Sequence, residues 1–314
     1  MYNERNITMI VFEDVVKTYQ DKQVVNHLNL TIASGEFFVL VGPSGSGKTT
    51  ILKMINRLTQ QTHGKILIDN KDVASTNTTI LRRHIGYVLQ NIALFPNLTI
   101  SQNAGILLEA NGVKRSQRQQ LVKILLDKVG LPYEQYGTRM PRELSGGEQQ
   151  RVGIVRALIT KPEIILMDEP FSALDPLSRK QLQDLILSLY QEFRPTIVFV
   201  THDMQEALRL GSKIGVLVNG ELQQVGKPQT IINQPANAVV SSLFNNQRIT
   251  LIADLLEAGL GQKITTDVSV EGPHLKSTQT LQELAAMLYR HDSAIIDQQY
   301  IINQRHLLMY ISKY

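Results

Sequence analysis

Gly42, Pro43, Ser44, Gly45, Ser46, Gly47, Lys48 and Thr49 read G-P-S-G-S-G-K-T, and Thr50 follows. A glycine-rich turn ending in a lysine and a hydroxyl is suited to phosphate. Gly45 and Gly47 let backbone N–H groups turn toward an anion with no Cβ in the way. Lys48 is placed to reach the β- and γ-phosphates of a nucleotide, and the Thr49 hydroxyl to ligate Mg2+. A second element, Ile164 to Pro170, reads I-I-L-M-D-E-P. Two carboxylates at the end of a buried strand need a cation or a partner, because desolvated charge is costly. Asp168 then faces the metal shell, and Glu169 orients and deprotonates an attacking water. A third element, Leu144 to Glu148, reads L-S-G-G-E. Ser145, Gly146 and Gly147 begin a helix whose N–H groups and dipole suit an anion. A plain Ser/Gly helix cap explains the same three residues.

The elements that must carry these residues are legible around them. Phe37 to Val41, Ile164 to Met167 and Thr196 to Val200 are short, β-rich and unalternating, as strands buried on both faces should be. After Lys48, Ile51, Leu52, Ile55 and Leu58 share one helical face; after Ser145, Val152, Val155 and Ile159 do the same. Strands alternating with helices predict an α/β domain with a mainly parallel sheet. Asn91 to Lys161 reads as a helical insertion that carries Leu144 away from the sheet. Ile7, Met9, Val11 and Phe12 read as an antiparallel edge strand.

The composition is ordinary for a globular chain: 314 residues, 43% hydrophobic and 19% charged. A net charge of +4 without runs of like charge calls for no nucleic-acid partner. The absence of cysteine excludes disulfides and thiolate metal sites. No apolar run approaches the roughly eighteen residues of a membrane span. Met1 to Thr8 lacks the basic start and apolar block of a secretory signal. The expectation is a soluble protein whose membrane role, if any, runs through a partner.

Together, Walker A at Gly42, L-S-G-G-E at Leu144, the Asp168–Glu169 pair, S-A-L-D at Ser172 to Asp175, and His202 after a buried strand resemble the ATP-binding subunits of ABC transporters. The match runs over residues 7–240 with the motifs in the family's order. It implies a P-loop NTPase domain of ABC type, with a mainly parallel core sheet, an antiparallel edge sheet and a helical subdomain over residues 91–161. It also implies that Ser145, Gly146, Gly147 and Glu148 contact the ATP held by the opposite subunit of a head-to-tail homodimer. His202 then contacts the γ-phosphate, and Asp175 lies at the dimer seam. Gln90 matches the glutamine that senses Mg2+ and the attacking water; an ordinary polar strand end is the other reading. Tyr19 stands where the family sets a ring against adenine, with simple core packing as the alternative.

The stretch Leu81 to Ile100, with Ile85-Gly86-Tyr87-Val88-Leu89-Gln90 and Phe95-Pro96-Asn97-Leu98-Thr99-Ile100, is similar to the branch importing glycine betaine, carnitine or choline. Importers of methionine, polyamines or other amino acids are the second candidate. The resemblance implies transmembrane permease subunits, an extracytoplasmic substrate-binding protein or domain, and a place on the cytoplasmic face of the membrane. Ala93 to Ile100 lies where the family receives a permease coupling helix, and a buried turn fits it equally well.

The pattern changes near Gln234-Pro235, giving a boundary at 240/241 and a small α+β unit over 241–314. Its clearest element is Thr280 to Arg290, where Thr280 and Glu283 make a capping box and Leu281, Leu284, Ala285 and Leu288 line one face. Ser293 to Ile296 and Leu307 to Ile311 read as strands packed on it. One degenerate cystathionine-β-synthase-type motif, or a dimerisation or docking appendage, fits this length.

Overall fold

The computed structural model describes residues 9–90, 93–245, 252–264 and 272–311. Two compact units divide the chain between residues 246 and 247. Elements are numbered along the sequence.

The heart of the first unit is a six-stranded sheet in the order β10-β9-β3-β8-β7-β6. Its members are β3 (Phe37–Val41), β6 (Ile85–Val88), β7 (Ile164–Asp168), β8 (Thr196–Thr201), β9 (Lys213–Val218) and β10 (Glu221–Gly226). All neighbours run parallel except β10, which returns antiparallel along β9. Every residue of β3, β7 and β8 is buried. Successive side chains serve opposite faces, as strand geometry requires. Phe37, Val39 and Val41 meet Met167 and Phe199 in one core, while Phe38 and Leu40 meet Leu166 and Val198 in the other. Two covered faces leave no solvent-facing positions, which is why these runs do not alternate.

A second sheet, antiparallel throughout, has the order β2-β1-β4-β5, from β1 (Ile10–Tyr19), β2 (Lys22–Ile32), β4 (His63–Ile68) and β5 (Lys71–Asp72). Strand β1 pairs on both sides, with β2 and β4, so it is an inner strand and not the edge strand expected. Of the residues expected in it, Phe12 is buried and Val11 half-buried, Met9 is half-buried just before the strand, and Ile7 lies outside the described residues. Helix α1 (Lys48–Ile55) buries Ile51, Leu52, Met54 and Ile55 in the core this sheet shares with the central one. The helix stops at Asn56, so Leu58 is off its apolar face and half exposed.

Helix α2 (Thr78–Arg83) leads into β6, and the region beyond is helical: α3 (Ile100–Ala110), α4 (Arg115–Lys128), α5 (Tyr133–Tyr136) and α6 (Gly146–Leu158). Ala104 and Leu108 of α3, Val122 and Leu126 of α4, and Val152 and Val155 of α6 join the first core. Helices α7 (Pro176–Phe193), α8 (Met204–Leu210), α9 (Pro228–Asn233) and α10 (Ala238–Phe244) complete the unit. Val240 and Phe244 are buried in that same core, so α10 belongs to the first unit. The division therefore falls a few residues beyond 240/241.

The second unit holds α11 (Ile252–Glu257), β11 (Gln262–Lys263), β12 (His274–Leu275), α12 (Leu281–Leu288), β13 (Ser293–Ile296), β14 (Tyr300–Asn303) and α13 (Gln304–Ile311). Its sheet has the order β11-β14-β13-β12 around a core of Ile252, Leu255, Leu284, Leu288, Ile296 and Ile302. The Thr280–Glu283 capping box is present, each side chain accepting from the other's backbone N–H. Leu284 and Leu288 are buried, but Ala285 is exposed and the helix ends at Leu288. Leu307 to Ile311 lies in a helix, not a strand. The reason is local: Asn303 accepts from the His306 N–H, and the His306 ring accepts from the Asn303 N–H, a reciprocal cap ahead of α13.

Candidate functional site

Register builds the site. Val41 pairs with Thr201 and Asp168 pairs with Val200, so β3, β7 and β8 end at one level. The residues just past those ends are Gly42, Glu169 and His202. Three segments far apart in sequence thus meet at the carboxyl edge of a parallel sheet, where such sheets bind ligands.

From Gly42 the chain turns through exposed Pro43, Ser44 and Gly45, then buried Ser46, into α1. Gly47 is the residue before α1, with φ 100°, and a Cβ there would lie 2.5 Å from the Val24 carbonyl oxygen. Only glycine fits. No side chain caps α1, so its first N–H groups are left to a ligand. Lys48 is buried, and its Nζ donates to the carbonyl oxygens of Gly42 and Pro43 at 2.8 Å each. Burial pushes its pKa down, against the pull of Glu169 and Asp168. Thr50, next on the helix, is half-buried.

Thr49 Oγ1 donates to Asp168 Oδ1 at 2.7 Å. Asp168 is 4% exposed, and burial raises its pKa, opposed by Thr49 and Lys53. The buried Tyr87 hydroxyl feels the Asp168 charge but finds no partner at hydrogen-bond geometry among the described residues. Burial first, then that charge, drives its pKa well up. Glu169 stands next to Asp168 in the left-handed region, φ 43°, a conformation a side-chain-bearing residue keeps only under constraint. The constraints are visible. Its N–H donates to Val200 O at 3.0 Å, and its carbonyl accepts from the N–H and hydroxyl of Ser172. Its Oε2 lies 3.0 Å from His202 Nδ1. A lysine, a hydroxyl, two acids and an imidazole thus surround an open glycine turn, an arrangement suited to phosphoryl chemistry.

Residues 25–172 match the family described as ABC transporter. The chain is 47% identical over 242 residues to the choline transport ATP-binding protein OpuBA of Bacillus subtilis, covering 77% of this chain and 63% of that one. It is 43% identical over 271 residues to the carnitine transport ATP-binding protein OpuCA of Listeria monocytogenes, covering 84% and 68%. The chain belongs to the ABC transporter family. Its fold also matches the dimeric post-hydrolysis structure of the ATP-binding cassette MJ0796 bound to ADP and Pi, with TM-score 0.62 and 34% identity over 70% of this chain and 98% of that one. The chain spans 63% of the length of OpuBA.

The remaining expected residues of this ABC cassette make no hydrogen bond or ion pair with the phosphate loop among the described residues. Ser145 is exposed and caps α6. Its Oγ accepts from the Glu148 N–H, and the Glu148 carboxylate accepts from the Ser145 N–H and hydroxyl and from Tyr136. Glu148 is thus engaged in holding the cap. Gly146 is open to solvent and Gly147 half-buried. Among the described residues, no hydrogen bond or ion pair joins this turn to the phosphate loop. Asp175 is the N-cap of α7, accepting from Leu177 and Ser178 N–H groups. Tyr19 is 45% exposed, so it is no core residue, and Lys17 Nζ lies 4.6 Å over its ring. Gln90 is exposed beyond β6 and makes no hydrogen bond among the described residues. Tyr87 escaped the sequence reading; its one signal was a polar atom in an otherwise aliphatic strand.

Proposed function

We propose that this chain hydrolyses ATP to drive an importer of quaternary-amine osmoprotectants such as choline, carnitine or glycine betaine. The observation that carries the catalytic part is the edge where Thr49 meets Asp168 and Glu169 meets His202 beside Lys48. The substrate class is supported by the choline and carnitine transport relatives.

Lys48 and the first N–H groups of α1 hold the phosphates, and Tyr19 offers its ring to the base. Thr49 and Asp168 fit Mg2+: a hydroxyl oxygen already beside a desolvated carboxylate, with a second acid next to it, is the hard oxygen donor set that such an ion takes. An ion held there would supply charge neutralisation for phosphate oxygens, and Gln90 would be the residue that senses it and the attacking water. Glu169 accepts the proton of the attacking water, while His202, held by Glu169, faces the γ-phosphate. Ser145, Gly146 and Gly147 of a second copy close over the phosphates, so two chains in head-to-tail arrangement share two nucleotides. Asp175 of each lies at the seam.

No helix among the described residues is long and apolar enough to cross a membrane. The transport role accordingly rests on permease subunits, with this chain on their cytoplasmic face and a substrate-binding protein or domain opposite. Quaternary ammonium is held by aromatic cages, and that recognition is assigned to the substrate-binding protein or domain.

Two measurements test the proposal. ATP turnover should vanish on chelation of Mg2+ and return on its addition; turnover indifferent to the metal defeats the assignment of Thr49 and Asp168. Uptake of labelled choline, carnitine and glycine betaine in cells carrying the chain with its permease should stop when Glu169 is replaced by Gln. Uptake of none of the three by the intact system rules out the substrate class.

A further inference from the structure

Arg179, one turn into α7, has no part in the mechanism above, yet it joins a run of polar contacts that closes on itself. Its Nη2 donates to the Leu174 carbonyl, in the S-A-L-D turn, at 3.2 Å. Its Nη1 lies 3.8 Å from Asp203 Oδ2, and its Nε 4.0 Å from Glu206 Oε1. Asp203 and Glu206 follow His202 directly, as the N-cap and first turn of α8. Glu206 is buried and accepts a 2.6 Å hydrogen bond from Thr201, the residue before His202. Thr201 also accepts from the Asp203 N–H. His202 meets Glu169, and Ser172 of the S-A-L-D turn grips the Glu169 carbonyl. The circuit runs Glu169, Ser172, Leu174, Arg179, the Asp203–Glu206 acids, Thr201, His202 and Glu169 again, with the chain itself supplying the steps from Ser172 to Leu174 and from Thr201 to His202.

The geometry is unfinished in one place. Arg179 Nε is buried and has no hydrogen-bond partner among the described residues, and its two acids stand at ion-pair distance. A small inward shift of the turn or of α8 would make short charge-assisted bonds of both contacts. Helices α7 and α8 are also joined without Arg179, since Arg209 bonds to Gln183 and Asp184. The guanidinium is therefore not the sole tie between the two helices.

We propose that Arg179 is a positioning residue that ties the Ser172–Asp175 turn to His202, so that the place of that turn sets the approach of His202 to Glu169. The inference rests on the hydrolytic reading of this site. It assigns the turn a route to the reacting phosphate within one chain.

The test uses the 314-residue chain with Arg179→Met, Arg179→Lys, Arg179→Met combined with Glu206→Gln, and Glu169→Gln as control. Arg179→Met should lower kcat roughly tenfold with KM for ATP within about twofold, since misplacement of a catalytic pair costs turnover rather than binding. Arg179→Lys should recover part of the loss. Arg179→Met leaves Glu206 buried without its counter-charge and lowers Tm; adding Glu206→Gln should restore Tm while kcat stays low. A wild-type kcat in the folded Arg179→Met protein, or kcat recovering in step with Tm in the double variant, overturns the proposal. A raised KM with unchanged kcat does so too. If the unaltered chain shows no Glu169-dependent turnover, the hydrolytic reading falls and the Arg179 assignment with it.

Discussion

Helices α1 and α6 both begin on glycine-bearing turns, but their first turns are satisfied in different ways. At α1 no side chain caps the helix, Gly47 holds a backbone shape no other residue fits, and Lys48, Asp168, Glu169 and His202 stand around the opening. At α6 Ser145 and Glu148 satisfy each other, Gly146 is bare to solvent, and none of the described residues brings a reactive group to it. The first is an uncapped helix end ringed by reactive groups; the second is a helix end capped by its own side chains. A helix N-terminus attracts anions in either case, so what separates the two is what the fold has gathered nearby. The α1 end should bind nucleotide on its own, and the α6 end should matter only when another molecule presents a phosphate.

Glu169→Gln attacks the α1 side most strongly, with turnover expected to fall about 10²–10⁴-fold while ATP still binds. Steady-state hydrolysis beside equilibrium nucleotide binding checks it, and undiminished turnover removes Glu169 as the base. Lys48→Ala should weaken ATP binding roughly 10–100-fold, the worth of a lost charge-assisted contact. Titration with a fluorescent ATP analogue reads this, and unchanged affinity would contradict the assigned contact. Gly146→Asp probes the α6 side. The site is open, with nothing within 4 Å of an added Cβ, and an acid in the first turn suits the helix dipole. Melting temperature and ATP affinity should stay as they are, while ATP-driven dimerisation in a Glu169→Gln background weakens at least roughly tenfold, because like charges meet. Light scattering with ATP decides; an undisturbed dimer breaks the contrast drawn between the two helix ends. The smallest effect belongs to the second unit. Thr280→Ala removes a cap of the same design as that at α6, and should lower that unit's unfolding midpoint by roughly 4–8 °C. ATP turnover by the first unit should not change, and a large loss of turnover would show that this cap serves more than its own helix.

Legibility followed the range of the forces involved. Strands β3, β7 and β8 were plain because burial on both faces leaves an unbroken apolar run. The Thr280 cap was plain because its two partners are three residues apart. The misreadings share a cause. Ile7 to Phe12 carried a strand signal, but pairing on one side or two depends on β4, fifty residues on, and the inner position of β1 came from there. Leu307 to Ile311 is apolar enough for a strand, and the Asn303–His306 pair turned it into a helix. Leu58 fits the period of α1, yet the helix ends before reaching it. Tyr87 and Arg179 carried no motif, since each gains meaning only from residues brought to it by folding.

The chemistry of this protein was therefore written in its local sequence: the glycine turn, Lys48 and Thr49, the Asp168–Glu169 pair and the L-S-G-G-E turn depend on neighbours within a few positions. What the tertiary structure alone decided is which of them come together. Parallel register put Asp168, Glu169 and His202 beside Lys48, and left Ser145 to Gly147 elsewhere. The reason is that backbone hydrogen bonding between strands fixes distances that no spacing along the chain records.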